Sequence, residues 1–277
     1  MTPSSPSDGE LLQPHSASTP APMPDYDREV SRPNSRERGW NILATPGTYI
    51  LLAINIAVFG WMVLHGVSAK DPTTDQLVHY GATNAYLILG GQWWRLLTAT
   101  FVHVGLLHIA TNMWCLWNLG LLGEPLLGPA GLVAVYLITG IAGNLLSLFF
   151  NVVPPHNYIA VGAGASGAVF GIAGILIVLL SNKKLPIPAF ELHRLRRSVI
   201  QFAVLNLIIG FAANFTSIVN IDNHAHIGGF LSGMALGVPL VPRMTSGRTR
   251  YLERQKLTFA AATFLLFLFA YFITKLK

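Results

Sequence analysis

The segment AVGAGASGAVFGIAG, Ala160 to Gly174, sets one serine among small residues inside an apolar run. Ser166 has Gly164 and Gly167 beside it, so the backbone there can turn tightly and approach a ligand. A serine opening a helix, with accessible amides around it, has the parts of a nucleophile and an oxyanion donor. Taken alone, the tetrapeptide GASG reads more readily as a packing device, because small residues let membrane helices come together.

The second set is DNHAHIGGFLSGMALG, Asp222 to Gly237. His226 is followed by Gly229, Gly233 and Gly237, spacings that put all four on one helical face. Ser166 has its own small partners, Gly167 and Gly171. Two such faces can bring two backbones together and put an imidazole within reach of the hydroxyl, and neutral histidine is a common general base. The alternative is a histidine that only bonds a carbonyl. His224, expected in an outer loop, is the example of that kind.

The third set is HVGLLHIATN, with His103, His108 and Asn112. His108 and Asn112 are four apart and share a face, where they could donate to a developing oxyanion. His103 falls roughly 140° around an ideal helix from His108 and reads as structural. A zinc site built from His103, His108, His224 and His226 is the weaker alternative. The sequence has no H-E-x-x-H element and no acidic residue within a span near these histidines. No metal or other cofactor is expected.

These residues need elements to hold them, and composition says which kind. Of the 277 residues, 52% are hydrophobic and 11% charged, and mean hydropathy is +0.51. A membrane-spanning helix needs about 20 mostly apolar residues, and seven runs approach that length: about 45–64, 97–119, 131–150, 160–180, 199–219, 225–241 and 257–274. The expected fold is therefore an all-α polytopic membrane protein. The formal net charge of +6 is spread between apolar runs, so it points to no nucleic-acid partner. With the N-terminus on the cytoplasmic side, 14 of the 18 Lys and Arg residues fall inside, which sets orientation and places Ser166 toward the outer end of its span. Residues 1–43 are rich in Pro and Ser and read as a disordered cytoplasmic tail without the apolar core of a signal peptide. Cys115 is the single cysteine, which excludes an intramolecular disulfide and leaves a small packing residue.

Together the three sets resemble the rhomboid intramembrane serine proteases. The likeness rests on Trp94-Arg95, HVGLLHIATN, Gly123-Glu124, GASG and AHIGGFLSG, in that order along residues 45–242. It implies a six-span catalytic core at 44–242, followed by a basic linker and a seventh helix at 243–277. It implies Ser166 as nucleophile and His226 as general base in a dyad. His108, Asn112 and the Ser166 amide would line the oxyanion hole, with Gly164 allowing the backbone to open. Gly229 and Gly233 would be packing positions and His103 structural. Arg95 would hold the outer first loop, and Glu124 the cytoplasmic loop.

Phe170 stands where many members have a tyrosine stacked on the histidine. A triad using Asp222 is disfavoured, because Asp222 reads as a solvated loop residue. The implied partners are membrane-protein substrates in the lipid bilayer, cut near the outer end of their spans. The pattern suits a bacterial inner membrane, with an organelle membrane as the other option, and carries no signal for oligomeric state. The alternative function is an inactive rhomboid-like protein that binds membrane clients. A transporter would need a polar path across the whole bilayer, whereas the polar residues here gather toward one side.

Overall fold

The computed structural model describes residues 45–276 apart from 186, 217–220, 242 and 243. The expected tail, 1–43, lies outside the described residues. Ten helices run through the rest: α1 Pro46–Leu64, α2 Thr74–His79, α3 Ala85–Leu89, α4 Arg95–Thr98, α5 Leu106–Leu127, α6 Pro129–Val152, α7 Ser166–Leu179, α8 Ala189–Thr216, α9 Asn223–Leu240 and α10 Arg248–Thr274. Two-residue strands β1, Thr83–Asn84, and β2, Val161–Gly162, pair antiparallel with Thr83 opposite Gly162. Thr83 Oγ1 reinforces that ribbon from both sides, donating to the Gly162 carbonyl and accepting from its amide.

Six long helices and the shorter α7 thus stand where seven apolar runs were expected, but their hydropathy is uneven. By length and composition α1, α6, α8 and α10 can cross a membrane. The polar and glycine residues of α5 and α9 dilute theirs, and α7 is short. Its 14 residues reach about 21 Å, against a hydrocarbon thickness of about 30 Å. A helix that short starts inside the membrane if its far end reaches the interface. It can do so only if protein covers it, and α7 is apolar on every face and buried almost throughout.

The second expected span is shifted. Its run begins near Leu97, yet α5 starts at Leu106, and the residues between form α4 and an irregular stretch containing His103. Non-helical backbone at membrane depth survives only where protein satisfies it, and here it is well tied. Asn144 of α6 donates to the Leu96 carbonyl at 2.8 Å, and the Tyr136 hydroxyl donates to Thr100 at 2.9 Å. The Ala99 carbonyl accepts from the Gly164 amide at 2.9 Å, so the stretch reaches the doorstep of α7. The fifth span is longer than expected: α8 takes in Arg194, Arg196 and Arg197 and runs unbroken to Thr216. Likewise α10 absorbs the basic stretch from Arg248, and its Gln255 donates to the Leu127 carbonyl at the α5–α6 junction.

α7 and α9 pack too closely for any side chain between them at two glycines of α9. A Cβ on Gly229 would overlap the Gly167 carbonyl oxygen, and one on Gly233 would overlap that of Gly171. The two small-residue faces therefore meet backbone to backbone, at two successive turns.

Glu124 does more than hold a loop. It sits in the last turn of α5, 2% exposed, and its carboxylate accepts from the Gly47 amide at 2.8 Å, the Thr48 amide at 2.7 Å and Thr48 Oγ1 at 2.6 Å. These are amides that the start of α1 leaves without intrahelical partners, at the positive end of its dipole. Glu124→Ala would strand three buried donors at about 1–3 kcal/mol each. The expected result is a loss of at least about 3 kcal/mol, read as a large drop in the unfolding temperature of the purified protein, with Glu124→Gln intermediate.

Candidate active site

Ser166 is the first residue of α7, and the chain reaches it through Gly164 with φ of 132°, a conformation that side chains resist. The amides of the first helical turn have no intrahelical acceptors and lie at the positive end of the dipole. His226 is in the first turn of α9. Its Nε2 lies 2.8 Å from Ser166 Oγ, and its ring stacks on Phe170, one turn beyond Ser166, with centroids 4.5 Å apart at 20°. Phe202 of α8 packs against the Phe170 ring in turn, tilted by 39° with centroids 6.1 Å apart. His226 is buried, 7% exposed, whereas Ser166 is half-buried. The glycine contacts between α7 and α9 begin at Gly167 and Gly229, next to the pair, so the backbone approach sets this distance.

His108 opens onto the same spot. A Cβ on Gly164 would fall 2.7 Å from His108 Cε1 and 2.9 Å from its Nε2. Glycine is thus required twice at that position, by backbone angle and by the imidazole against it. His108 Nδ1 accepts from the Val104 amide at 3.2 Å. That bond assigns the ring proton to Nε2, where it can be donated toward the backbone before Ser166. Asn112, one turn further along α5 and buried, donates from Nδ2 to the His108 carbonyl at 2.9 Å. Among the described residues no hydrogen bond joins it to Ser166, so it supports His108 first and has one N–H left for the site.

His103 is fully buried outside any helix. Its Nδ1 donates to the Phe101 carbonyl at 3.1 Å, and its Nε2 accepts from the Ala165 amide at 3.4 Å. It therefore fixes the backbone immediately before Ser166. With those nitrogens engaged, His103 and His108 are not arranged as a metal pair, although their rings lie 5.4 Å apart. Arg95 stands away from the site and binds the first loop together. It donates to the Val78 carbonyl at 2.6 Å, the Ala82 carbonyl at 3.0 Å and Gln92 Oε1 at 2.7 Å, and stacks over Trp94.

Two expectations near His226 are corrected. His224 belongs to the first turn of α9 and stacks on Phe150 at 4.3 Å, rather than lying in a loop. Asp222 is the N-cap of α9 rather than a solvated loop residue. Its Oδ1 accepts from the Ala225 amide at 3.0 Å, and its Oδ2 from Ser147 Oγ at 2.5 Å. Both oxygens are thereby engaged away from the imidazole. His226 Nδ1 has no hydrogen-bond partner among the described residues. Ser147, which ties α6 to this cap, was missed by sequence reasoning, although a serine inside the apolar run of α6 was a visible signal. Asn is as good an N-cap as Asp, so Asp222→Asn is expected to keep the rate of any reaction at Ser166 within about threefold. A triad acid replaced by its amide loses about 10⁴, a difference that one initial-rate assay decides.

The fold and this site define a polytopic helical membrane protein with a serine and a histidine in hydrogen-bond contact inside it. A model of the Rhomboid domain matches residues 90–243. Rhomboid protease GluP of Bacillus subtilis is 38% identical over 197 residues, 69% of this chain and 35% of that protein. Rhomboid protease AarA of Providencia stuartii is 31% identical over 209 residues, 70% of this chain and 72% of that protein. Rhomboid-like protease 2 of Toxoplasma gondii is 31% identical over 238 residues, 82% of this chain and 77% of that protein. The chain belongs to the rhomboid family, and it is an integral membrane protein. It spans about a third of the Bacillus relative and nearly three quarters of the Providencia one.

Proposed function

We propose that this chain is an intramembrane serine endopeptidase that hydrolyses peptide bonds near the outer end of substrate transmembrane helices. The observation that carries the reading is the 2.8 Å contact between His226 Nε2 and Ser166 Oγ at the half-buried start of α7. His226 takes the hydroxyl proton as Ser166 Oγ attacks the carbonyl carbon. The same imidazolium then gives that proton to the leaving amine. The oxyanion is held by the His108 Nε2–H and the first amides of α7, with Asn112 behind His108. Water deprotonated by His226 then attacks the acyl-enzyme and frees Ser166. Gly164 leaves His108 room to approach, and Phe170, stacked on the imidazole, holds it against Ser166.

A substrate helix would reach this site from the lipid side between α5 and α8. A groove of about 250 Å³ runs there, lined by Trp114, Asn118, Leu122, Leu195, Ser198 and Phe202. The Lys and Arg distribution puts the N-terminus in the cytoplasm and the site toward the outer leaflet, in a bacterial plasma membrane. The experiment is cleavage in proteoliposomes of a panel of single-span proteins with small residues at the outer ends of their spans, the cut positions being mapped by mass spectrometry. Cuts clustered within the outer third of the span are the expected result. Cuts confined to soluble flanking segments would reject the reading.

A further inference from the structure

A histidine that takes a proton at Nε2 must carry its own proton at Nδ1. In serine hydrolases a third group accepts that proton and fixes the ring. Here His226 Nδ1 is buried and has no hydrogen-bond partner among the described residues. The neighbouring carboxylate of Asp222 is occupied by Ser147 and the Ala225 amide. A buried N–H left unpaired costs about 1–3 kcal/mol, and the cost grows when the ring becomes cationic during the reaction.

One other buried side-chain atom on the same turn of α9 lacks a partner, and it has the complementary chemistry. Asn223 Oδ1 is an acceptor with no hydrogen-bond partner among the described residues, and Asn223 is 7% exposed, as is His226. The two residues are three apart in one helix, a spacing that brings side chains onto the same face. Asn223 is also held from outside. A Cβ on Gly210 of α8 would lie 2.5 Å from Asn223 Oδ1, so the amide fills the space that glycine leaves.

We infer that Asn223 is the positioning residue for the general base: one ordered water bridges its Oδ1 and the His226 Nδ1–H, and so holds the tautomer that leaves Nε2 free for Ser166. The inference rests on the Ser166–His226 reading. It gives α8 a second role, because the helix that borders the substrate groove also backs the residue that orients the base.

The test uses the purified full chain in mild detergent and a fluorophosphonate, with the inactivation rate constant and the probe's dissociation constant measured separately. Asn223→Ala is expected to slow inactivation roughly 10- to 100-fold, with probe affinity and unfolding temperature unchanged. Asn223→Asp, which restores an acceptor, should recover most of the rate. Gly210→Ala is the second variant. It leaves both residues in place but pushes the amide aside, and should reproduce the slow inactivation. Wild-type inactivation by Asn223→Ala, or Asn223→Asp no faster than Asn223→Ala, would overturn the inference while leaving the dyad intact. A wild-type protein that does not react at all would overturn the dyad reading, and this inference with it.

Discussion

Ser166→Ala and His226→Ala are each expected to lower the rate of substrate cleavage in proteoliposomes by at least about 10⁴-fold, and the double variant to be no slower than either. The reason is geometric. Ser166 Oγ has one base, His226 Nε2 at 2.8 Å, and among the described residues no carboxylate stands behind that imidazole to substitute for it. Removing either atom removes the whole proton transfer, so the effects do not add. The oxyanion donors remain in both variants, because His108 is positioned from α5 by Val104 and not by the pair. Some residual hydrolysis should therefore survive. Initial rates against a single cleavable substrate measure this, with both variants shown by unfolding temperature to be folded. Additive losses in the double variant would mean that the serine and the histidine act separately.

Gly229→Ala is expected to cost at least about 10²-fold in cleavage rate and to lower the unfolding temperature as well. The added methyl has nowhere to go, because it would overlap the carbonyl oxygen of Gly167, the residue next to the proposed nucleophile. Relief requires α9 to move away from α7, and a shift of about 1 Å in a reacting pair is enough for a loss of that size. Overpacking itself costs about 1–3 kcal/mol. Gly233→Ala makes the same clash with Gly171 one turn further on and should show the stability loss with a smaller effect on rate. Gly60→Ala in α1 is the control, since its methyl would meet nothing within 4 Å. It should be neutral or stabilising, as Ala is favoured over Gly in helices by about 1 kcal/mol. A Gly229→Ala protein with wild-type rate and stability would show that the backbone approach does not set the Ser166–His226 distance.

The parts of the molecule that follow a helical period were legible in the sequence. Gly229 and Gly233 read as one face of one span, Gly167 and Gly171 as a face of another, and the structure presses these faces together. The membrane class followed from hydropathy alone. What hydropathy could not separate was helix from irregular backbone at the same depth. The residues from Leu96 to Gly105 are apolar enough to pass for the start of a span, yet they fold as the end of α4 and a bent stretch pinned by Asn144, Tyr136 and the Gly164 amide. All three partners are distant in sequence and carry no local signature.

The misreading of Asp222 has a different cause. Polar residues that precede an apolar run look alike whether they are solvated or capping a helix, and here the Ala225 amide and the hydroxyl of Ser147, 75 residues away, tell them apart. Glu124 is the same case at the other end of the molecule. Its partners, Gly47 and Thr48, lie 77 and 76 residues earlier, so a carboxylate in an apolar helix was visible but not what it holds.

The most direct measurement of the central claim is covalent labelling of the purified wild-type protein with a fluorophosphonate, followed by mass-spectrometric location of the adduct. Hydroxyls of ordinary serines do not react at neutral pH, so the probe reports activation and needs no knowledge of the substrate. One adduct per chain, on Ser166, abolished by His226→Ala, is the expected result. A folded protein that takes no label, or takes it on another residue with His226→Ala labelled equally, would contradict the assignment of Ser166 and His226 as nucleophile and base.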